Sequence, residues 1–204
     1  VGISPSMSFS VSEHNRLRLT YTLKEEKITD VLPTASIAIK ESEGNFLVSS
    51  LRVFHIHDRE FLKFGPEYGY SFAQTLDFTG LGGDVKFVNL NLRATGYYEV
   101  FDDVKVRVIG EAGHIMPFGG YKTRISDRFQ LGGFQLRGFE RGGIGPRDRV
   151  SGDALGGENY GVIRSELDFP LGLATDYGLR GAIFADAGSV WNVGERGTSF
   201  DVLG

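Results

Sequence analysis

The chain has 204 residues, a net charge of −4, no cysteine and 29 glycines, about twice the usual share of glycine. The lack of cysteine excludes a disulfide scaffold, an iron–sulfur site and a cysteine nucleophile. The mildly acidic balance argues against a nucleic-acid-binding protein, because such proteins usually present a basic face. No apolar stretch approaches the length of a transmembrane helix, but the alternating strands of a membrane β-barrel remain compatible with this composition.

Alternation of apolar and polar residues recurs along the chain, whereas helical periodicity is nearly absent. Between Arg16 and Lys24, for example, the even-numbered residues are polar and the odd-numbered residues are Leu or Tyr. The pattern predicts eight strands, several of them longer than the usual length of about 5 to 6 residues. Their predicted ranges are 4–12, 16–28, 45–58, 66–79, 84–99, 103–118, 157–170 and 178–191.

Alternation alone does not separate a membrane barrel from a soluble β-sandwich, which alternates in the same way. Three further features favour the barrel. Several strands reach the length of about 9 to 11 residues that crosses a bilayer, the polar face carries mixed charges such as Arg164 and Glu166, and aromatic residues such as Tyr97 and Trp191 lie near strand ends. We therefore predict an all-β fold, namely part of an antiparallel transmembrane β-barrel.

One connection is much longer than the others and spans residues 120–156. A structureless loop of this length is uncommon in a compact domain and is usually either functional or disordered. Disorder is disfavoured because the segment contains large apolar side chains, including Phe129, Leu131 and Phe134. We expect the loop to fold back onto the sheet.

The long loop and the strands after it carry several motifs in a fixed order. The loop contains Leu136-Arg137-Gly138-Phe139 between Gly132-Gly133 and Gly143-Ile144-Gly145-Pro146, and the next strands contain Arg164-Ser165-Glu166 and Phe184-Ala185-Asp186-Ala187-Gly188. This combination resembles the C-terminal barrel of the BamA family, the outer-membrane β-barrel assembly factors of Gram-negative bacteria. The tetrad matches that family's (Val or Leu)-Arg-Gly-Phe signature in the sixth extracellular loop, and the resemblance covers most of residues 65–191.

The resemblance implies that the loop folds into the barrel lumen, where Arg137 docks on Glu166 and Asp186 of the next two strands. The residue types agree with this, because the guanidinium fork suits carboxylates and both acidic residues fall on the polar face. Gly138 is expected to let the backbone approach the wall, and Phe139 is expected to pack against it. The residues expected to shape the loop are Gly132, Gly133, Gly143, Gly145 and Pro146. In the alternative reading, Arg137 is a solvated loop charge and the carboxylates line a wet channel.

The family barrel has sixteen strands, so the eight predicted here would be strands six through thirteen. Residues 1–204 are thus expected to form part of one C-terminal barrel domain, with both termini inside a larger fold. The upstream periplasmic domains and the terminal strands would lie outside this chain. The stretch 56–66 keeps only part of the turn motif that the family carries there.

The resemblance further implies a function in the assembly and insertion of β-barrel proteins into the Gram-negative outer membrane, with no enzymatic activity, cofactor or metal. The implied partners are the outer-membrane lipid bilayer, unfolded outer-membrane protein clients and lipoproteins of the assembly complex, but no nucleic acid. Two alternatives stay open at this point. The chain could belong to a two-partner-secretion polypeptide transporter of the same superfamily, or to a passive outer-membrane barrel.

Two other patterns carry weaker signals. His55 and His57 lie on one face of a predicted strand, beside Asp58, and resemble part of a zinc site, but no third ligand is evident and exposed histidines are favoured. The segment 80–83 is glycine-rich like a phosphate loop, but it joins two strands without a following helix, so a tight turn is favoured. No spacing of Ser, His and Asp singles out a catalytic triad.

Overall fold

The computed structural model of the chain describes residues 1–61, 67–172 and 179–194, without the side chains of residues 60 and 61. Nine strands in these ranges form one antiparallel sheet, in which each strand from β3 to β8 pairs with the next one along the chain. The strands are β1 (Gly2–Ile3), β2 (Ser6–Ser12), β3 (Asn15–Ile28), β4 (Gly44–Phe61), β5 (Tyr68–Thr79), β6 (Phe87–Phe101), β7 (Val104–Pro117), β8 (Asn159–Pro170) and β9 (Arg180–Trp191). The predicted all-β antiparallel architecture is confirmed.

The clearest difference from the predicted strands lies at the first edge of the sheet. The single strand expected over 4–12 is divided into β1 and β2, which both pair with β3. Pro5 lies in the gap between them, and proline has no N–H group to donate to a neighbouring strand. The predicted strand starts at residues 66 and 178 and the C-terminal residues 195–204 lie outside the described residues.

The register divides the sheet into two faces of opposite chemistry. The inner face, which the long loop covers, carries the even-numbered residues of β3, β4, β8 and β9 and the odd-numbered residues of β5 to β7. The outer face carries a broad set of exposed large apolar side chains, as the lipid-facing side of a membrane sheet requires. These include Leu47, Leu51, Tyr68, Tyr70, Phe72, Leu76, Phe78, Leu90, Tyr98, Val108, Met116, Ile163, Ile183 and Trp191.

Strand β4 is apolar on both faces near its beginning, where its alternation was poorest in the sequence. Leu47 and Leu51 belong to the outer face and are exposed. Phe46 and Val48 belong to the inner face, where Val48 is only 7% exposed. The guanidinium of Arg124, from the long loop, lies 4.3 Å from the centroid of the Phe46 ring. The inner face is therefore apolar here because the loop covers it.

The described residues contain little helix. The connection between β3 and β4 holds the short helix α1 (Ile37–Lys40), whose first turn is capped by the Ser36 hydroxyl accepting from the Ile39 N–H at 3.4 Å. Within the described ranges, no helix has the length and apolar character needed to span a bilayer.

The long loop between β7 and β8 lies against the inner face and has an apolar core of its own. Leu131 and Leu136, both almost completely buried, pack with Tyr160, Val162 and Val190 of β8 and β9. Two 3₁₀ turns, Ile125–Asp127 and Gly133–Gln135, and three isolated bridges organise its backbone. The expectation that this segment folds back onto the sheet is confirmed.

Candidate functional site

Arg137 lies at the centre of the contact between the loop and the inner face. Its Nε and Nη2 atoms donate to Asp186 Oδ2 and Oδ1, both at 2.7 Å, and its backbone N–H donates to Asp186 Oδ2 at 3.1 Å. Its Nη1 atom donates to Glu166 Oε2 at 2.5 Å. Glu166 lies on β8 and Asp186 on β9, so one loop side chain joins two neighbouring strands.

The two carboxylates differ in their surroundings. The Asp186 side chain is 4% exposed and accepts a forked pair of bonds, whereas Glu166 is 29% exposed and accepts one. The hydrogen bonds that Arg137 donates to Asp186 and, with a smaller effect, to Glu166 raise the pKa of Arg137 above its ordinary value. Arg137 is therefore a permanent cation, and Asp186 is its principal partner.

An aromatic ring completes the site, and it comes from the wall. The Arg137 guanidinium carbon lies 3.7 Å from the centroid of the Phe184 ring, on the same inner face as Asp186. Phe139, which was expected to pack against the wall, is as exposed as Phe184, at 51%, but within the described part of the chain it is the Phe184 ring that lies against the guanidinium. Because residues 184 and 186 share a face of β9, the strand supplies both the carboxylate and the ring at the right spacing.

Gly138 has a different role from the one expected. An added Cβ there would meet no atom within 4 Å, so the residue is not at a close approach to the wall, and that prediction is wrong. The backbone φ of Gly138 is +88°, a conformation that residues with a side chain rarely adopt. The glycine is needed for the turn that follows Arg137.

The other loop residues singled out in the sequence occupy turns around this site. Gly132 has φ +131° and an added Cβ would collide with the backbone oxygen of Glu140, so this position requires glycine. Gly133 N–H donates to the Phe139 carbonyl at 2.7 Å, and Gly143 N–H donates to the Glu140 carbonyl at 2.8 Å. Gly145 packs against Val190, where an added Cβ would lie 3.1 Å from Val190 Cβ, and the buried Pro146 accepts from the Leu155 N–H at 2.9 Å.

A second charged group on the wall also touches the loop. Arg164 of β8 donates to the Phe134 carbonyl at 3.2 Å and forms an ion pair with Glu111 of β7. Arg93 of β6 approaches the same Glu111 carboxylate at 3.2 Å. The inner face thus carries a chain of charges from β6 to the loop.

The stem of the loop has its own anchor, which the sequence reasoning missed. The Arg124 side chain is 2% exposed and binds Asp127 through Nη2 at 2.6 Å and through Nε at 3.0 Å. The Arg124 Nη2 atom also binds Glu26 of β3 at 3.0 Å, across 98 positions in the chain. Only the Arg124–Asp127 spacing was visible in the sequence, because the partner on β3 is distant.

Burial and the neighbouring carboxylates together shift the pKa of two groups at the stem. Burial opposes the charged form of Arg124, but Asp127 and Glu26 outweigh it, so the pKa of Arg124 lies above its ordinary value. Burial, together with a hydrogen bond to the Asp127 carboxylate at 2.5 Å, raises the pKa of the Tyr121 hydroxyl. The stem is therefore a cluster of ion pairs and hydrogen bonds that holds the loop against β3 and β4.

The two histidines of the weaker zinc pattern lie on the outer face of β4. His55 Nε2 and His57 Nδ1 share the Asn15 Oδ1 atom at 3.1 and 3.0 Å, and Gln74 Nε2 contacts His55 Nδ1 at 3.0 Å. Among the described residues, no group of three or more acidic, histidine or cysteine side chains is arranged to hold a metal ion. The imidazoles are engaged by amide side chains. The segment 80–83 is the first part of the connection 80–86 between β5 and β6.

These features define a class of protein. The chain forms one antiparallel sheet with an apolar outer face, as in the wall of a membrane β-barrel, and a long loop is docked on its inner face by an arginine. The Omp85 superfamily domain matches residues 1–202. The chain therefore belongs to the Omp85 superfamily.

Individual relatives agree with this assignment. Over 194 residues the chain is 35% identical to the outer membrane protein assembly factor BamA of Neorickettsia risticii, covering 95% of the chain and 26% of that protein. It is 29% identical over 203 residues to the human sorting and assembly machinery component 50 homolog, covering 94% of the chain and 42% of the relative. The resemblance to the BamA family and the location in the bacterial outer membrane are confirmed.

A solved structure shows the same fold. The crystal structure of BamA from Haemophilus ducreyi lacking POTRA domains 1-3 superimposes with a TM-score of 0.66 at 21% identity, covering 94% of this chain and 41% of that one. The chain spans about a quarter of the length of its bacterial relatives and under half that of the animal ones.

Proposed function

We propose that this chain forms part of the barrel domain of an outer-membrane protein assembly factor, which folds β-barrel clients and inserts them into the outer membrane. The assembly factors among its relatives, named as such, support this function. The observation that carries it here is the docking of Arg137 on Glu166 and Asp186, since a loop tied to two strands makes the wall a braced structure.

The physical task explains why a braced wall is useful. A client barrel must close every backbone hydrogen bond before its strands meet lipid, because unpaired N–H and C=O groups are costly in hydrocarbon. A membrane-embedded wall that offers strand edges and a locally disturbed bilayer lowers this barrier. Residues 136–139 act as a strut that keeps the wall in shape, and the process requires neither covalent chemistry nor a cofactor.

The partners that we propose follow from the same task. The outer face binds the lipid bilayer, and unfolded outer-membrane proteins are the clients. Lipoproteins of an assembly complex bind the complete protein, and nucleic acid has no part. A polypeptide transporter remains the alternative within the superfamily, and it predicts export of a chain without its insertion.

The test uses the complete protein that contains this chain, reconstituted in liposomes. A urea-unfolded barrel client is added, and its folding is followed by the heat-dependent shift of its mobility in gels. We expect faster client folding than in protein-free liposomes. Translocation of the client into the vesicles without membrane insertion would instead support the transporter.

Two variants test the strut itself. R137A removes the docking cation and is expected to slow client folding severalfold. R141A removes a cation from the exposed loop position Arg141 and is expected to have no effect. If R137A matched R141A while the wild-type protein accelerated folding, the strut would be contradicted and the assembly function would stand.

A further inference from the structure

Arg107 is a cation of the inner face that has no ion-pair partner among the described residues, unlike Arg164 on the neighbouring strand. It lies on β7, directly opposite Glu166 of β8 in the strand register. It is exposed, and within the described part of the chain no carboxylate forms an ion pair with it. Residues opposite each other on one face of an antiparallel pair have Cβ atoms about 4.5–5.5 Å apart, so the two side chains are within reach.

The Glu166 carboxylate is occupied by the loop instead. Arg137 binds it at 2.5 Å, and Arg107, Arg137 and Glu166 line the same cavity of about 160 Å³. Arg107 also borders a larger cavity of about 670 Å³ beside Asp168 and Arg180, so its side chain has room to move. Glu166 thus has two candidate cations and is bound to the one from the loop.

The second carboxylate of the site has the same arrangement. Asp186 of β9 lies directly opposite Arg164 of β8, yet it binds Arg137. Arg164 meanwhile pairs with Glu111 and with the Phe134 carbonyl of the loop. Each carboxylate that holds the loop therefore has a wall arginine as its direct cross-strand neighbour.

We propose that Arg107 replaces Arg137 as the partner of Glu166 when the loop leaves the wall, so that docking is an exchange of ion pairs. An isolated carboxylate left in the lumen would oppose undocking, because an unpaired charge in a partly desolvated site is costly. With Arg107 opposite, Glu166 keeps a partner in both states. This exchange goes beyond the proposed function and does not rest on it, since it concerns only the loop and the wall.

The test measures loop undocking in the complete protein in native outer membranes. L136C provides the reporter, because Leu136 is 2% exposed when the loop is docked, and this chain has no other cysteine. Any cysteine elsewhere in the protein is removed, and the rate of labelling by a membrane-impermeant maleimide is followed. When opening and closing are fast, this rate follows the population of the undocked state.

The proposal predicts the sign of the effect. R107Q weakens the undocked state only, so labelling slows about two- to fivefold, the range expected for one exposed ion pair. R107K keeps the charge and labels at nearly the parent rate. R18A is the matched control, because Arg18 is also exposed on the inner face but lies on β3, where it donates to Ser8. It is expected to leave the rate unchanged.

A second background separates exchange from simple repulsion between Arg107 and Arg137. In protein that carries E166Q, the carboxylate that Arg107 would bind is absent. If the exchange operates, adding R107Q to E166Q therefore does not change the labelling rate of L136C. An unchanged rate for R107Q in the parent background, or an equal slowing on E166Q, overturns the proposal.

Urea unfolding tests the proposal independently of labelling. R107Q is expected to lower the urea midpoint in the R137A background and to leave it unchanged when Arg137 is intact. Equal shifts in both backgrounds would also overturn it.

Discussion

Two arginines that hold the long loop differ in their burial and in the origin of their partners. Arg124 at the stem is 2% exposed and binds Asp127 of its own turn together with Glu26 of β3. Arg137 near the tip is 31% exposed and binds two wall carboxylates on β8 and β9. The stem is a cluster around a buried arginine, whereas the tip is a partly solvated contact between loop and wall. We therefore expect the tip to leave the wall more readily than the stem.

The largest effect should come from removing the stem arginine. R124A leaves Asp127, whose side chain is 6% exposed, without its cation, and it uncovers the Phe46 ring. Breaking a buried pair in this way costs about 3–5 kcal/mol. Urea unfolding of the complete protein in detergent, followed by gel mobility, measures the loss. A midpoint shift no larger than that of R137A would contradict the comparison.

Removal of the tip arginine, Arg137, should lower the free energy of unfolding by less than removal of Arg124. R137A leaves the buried Asp186 unpaired, but Arg137 is partly solvated and Glu166 has solvent access, so we expect about 3 kcal/mol, the lower end of the same range. R137K should restore only part of the loss, because an ammonium cannot form the forked bonds to Asp186. Urea midpoints measured beside R141A check both values, and full rescue by lysine would contradict the forked geometry.

Neutralising each wall carboxylate in turn should give two different losses of stability. D186N removes the charge that accepts three hydrogen bonds from Arg137, whereas E166Q removes the charge that accepts one. At about 1.5–3 kcal/mol for hydrogen bonds to charged groups, D186N should lie near the upper value and E166Q at or below the lower one. Maleimide labelling of L136C should accelerate in the same order. The reverse order would show that Glu166 is the principal partner.

The smallest effect should come from the aromatic ring. F184L keeps an apolar side chain beside Arg137 but removes the ring that lies 3.7 Å from the guanidinium. A cation–π contact at an exposed site is worth about 0.5–1 kcal/mol, so the urea midpoint should fall slightly. F139L is the matched control, since Phe139 is as exposed as Phe184 but the contact with the guanidinium belongs to Phe184. A larger loss for F139L would assign the aromatic contact to the loop after all.

Several elements could be predicted from the sequence because their signals are local. Alternation along a strand has period two, so it identified the strands and the face on which Glu166 and Asp186 lie. At residues 46–48, alternation could not assign the apolar side chains to one face of the strand. Both faces of β4 are apolar there, one because it meets lipid and the other because a distant loop covers it.

Arg137, Glu166 and Asp186 could be identified from the sequence, because the loop and strand motifs that contain them resemble those of a known family. Such motifs can be recognised without knowing the path of the loop. Tertiary structure decided the rest of the site. It placed Glu26 beside Arg124 across 98 positions, and it set Phe184 rather than Phe139 against the guanidinium. These contacts depend on the path of the loop across the sheet, which brings Arg124 to β3 and Arg137 to β9. No local period records that geometry, because it arises only when all the strands are paired.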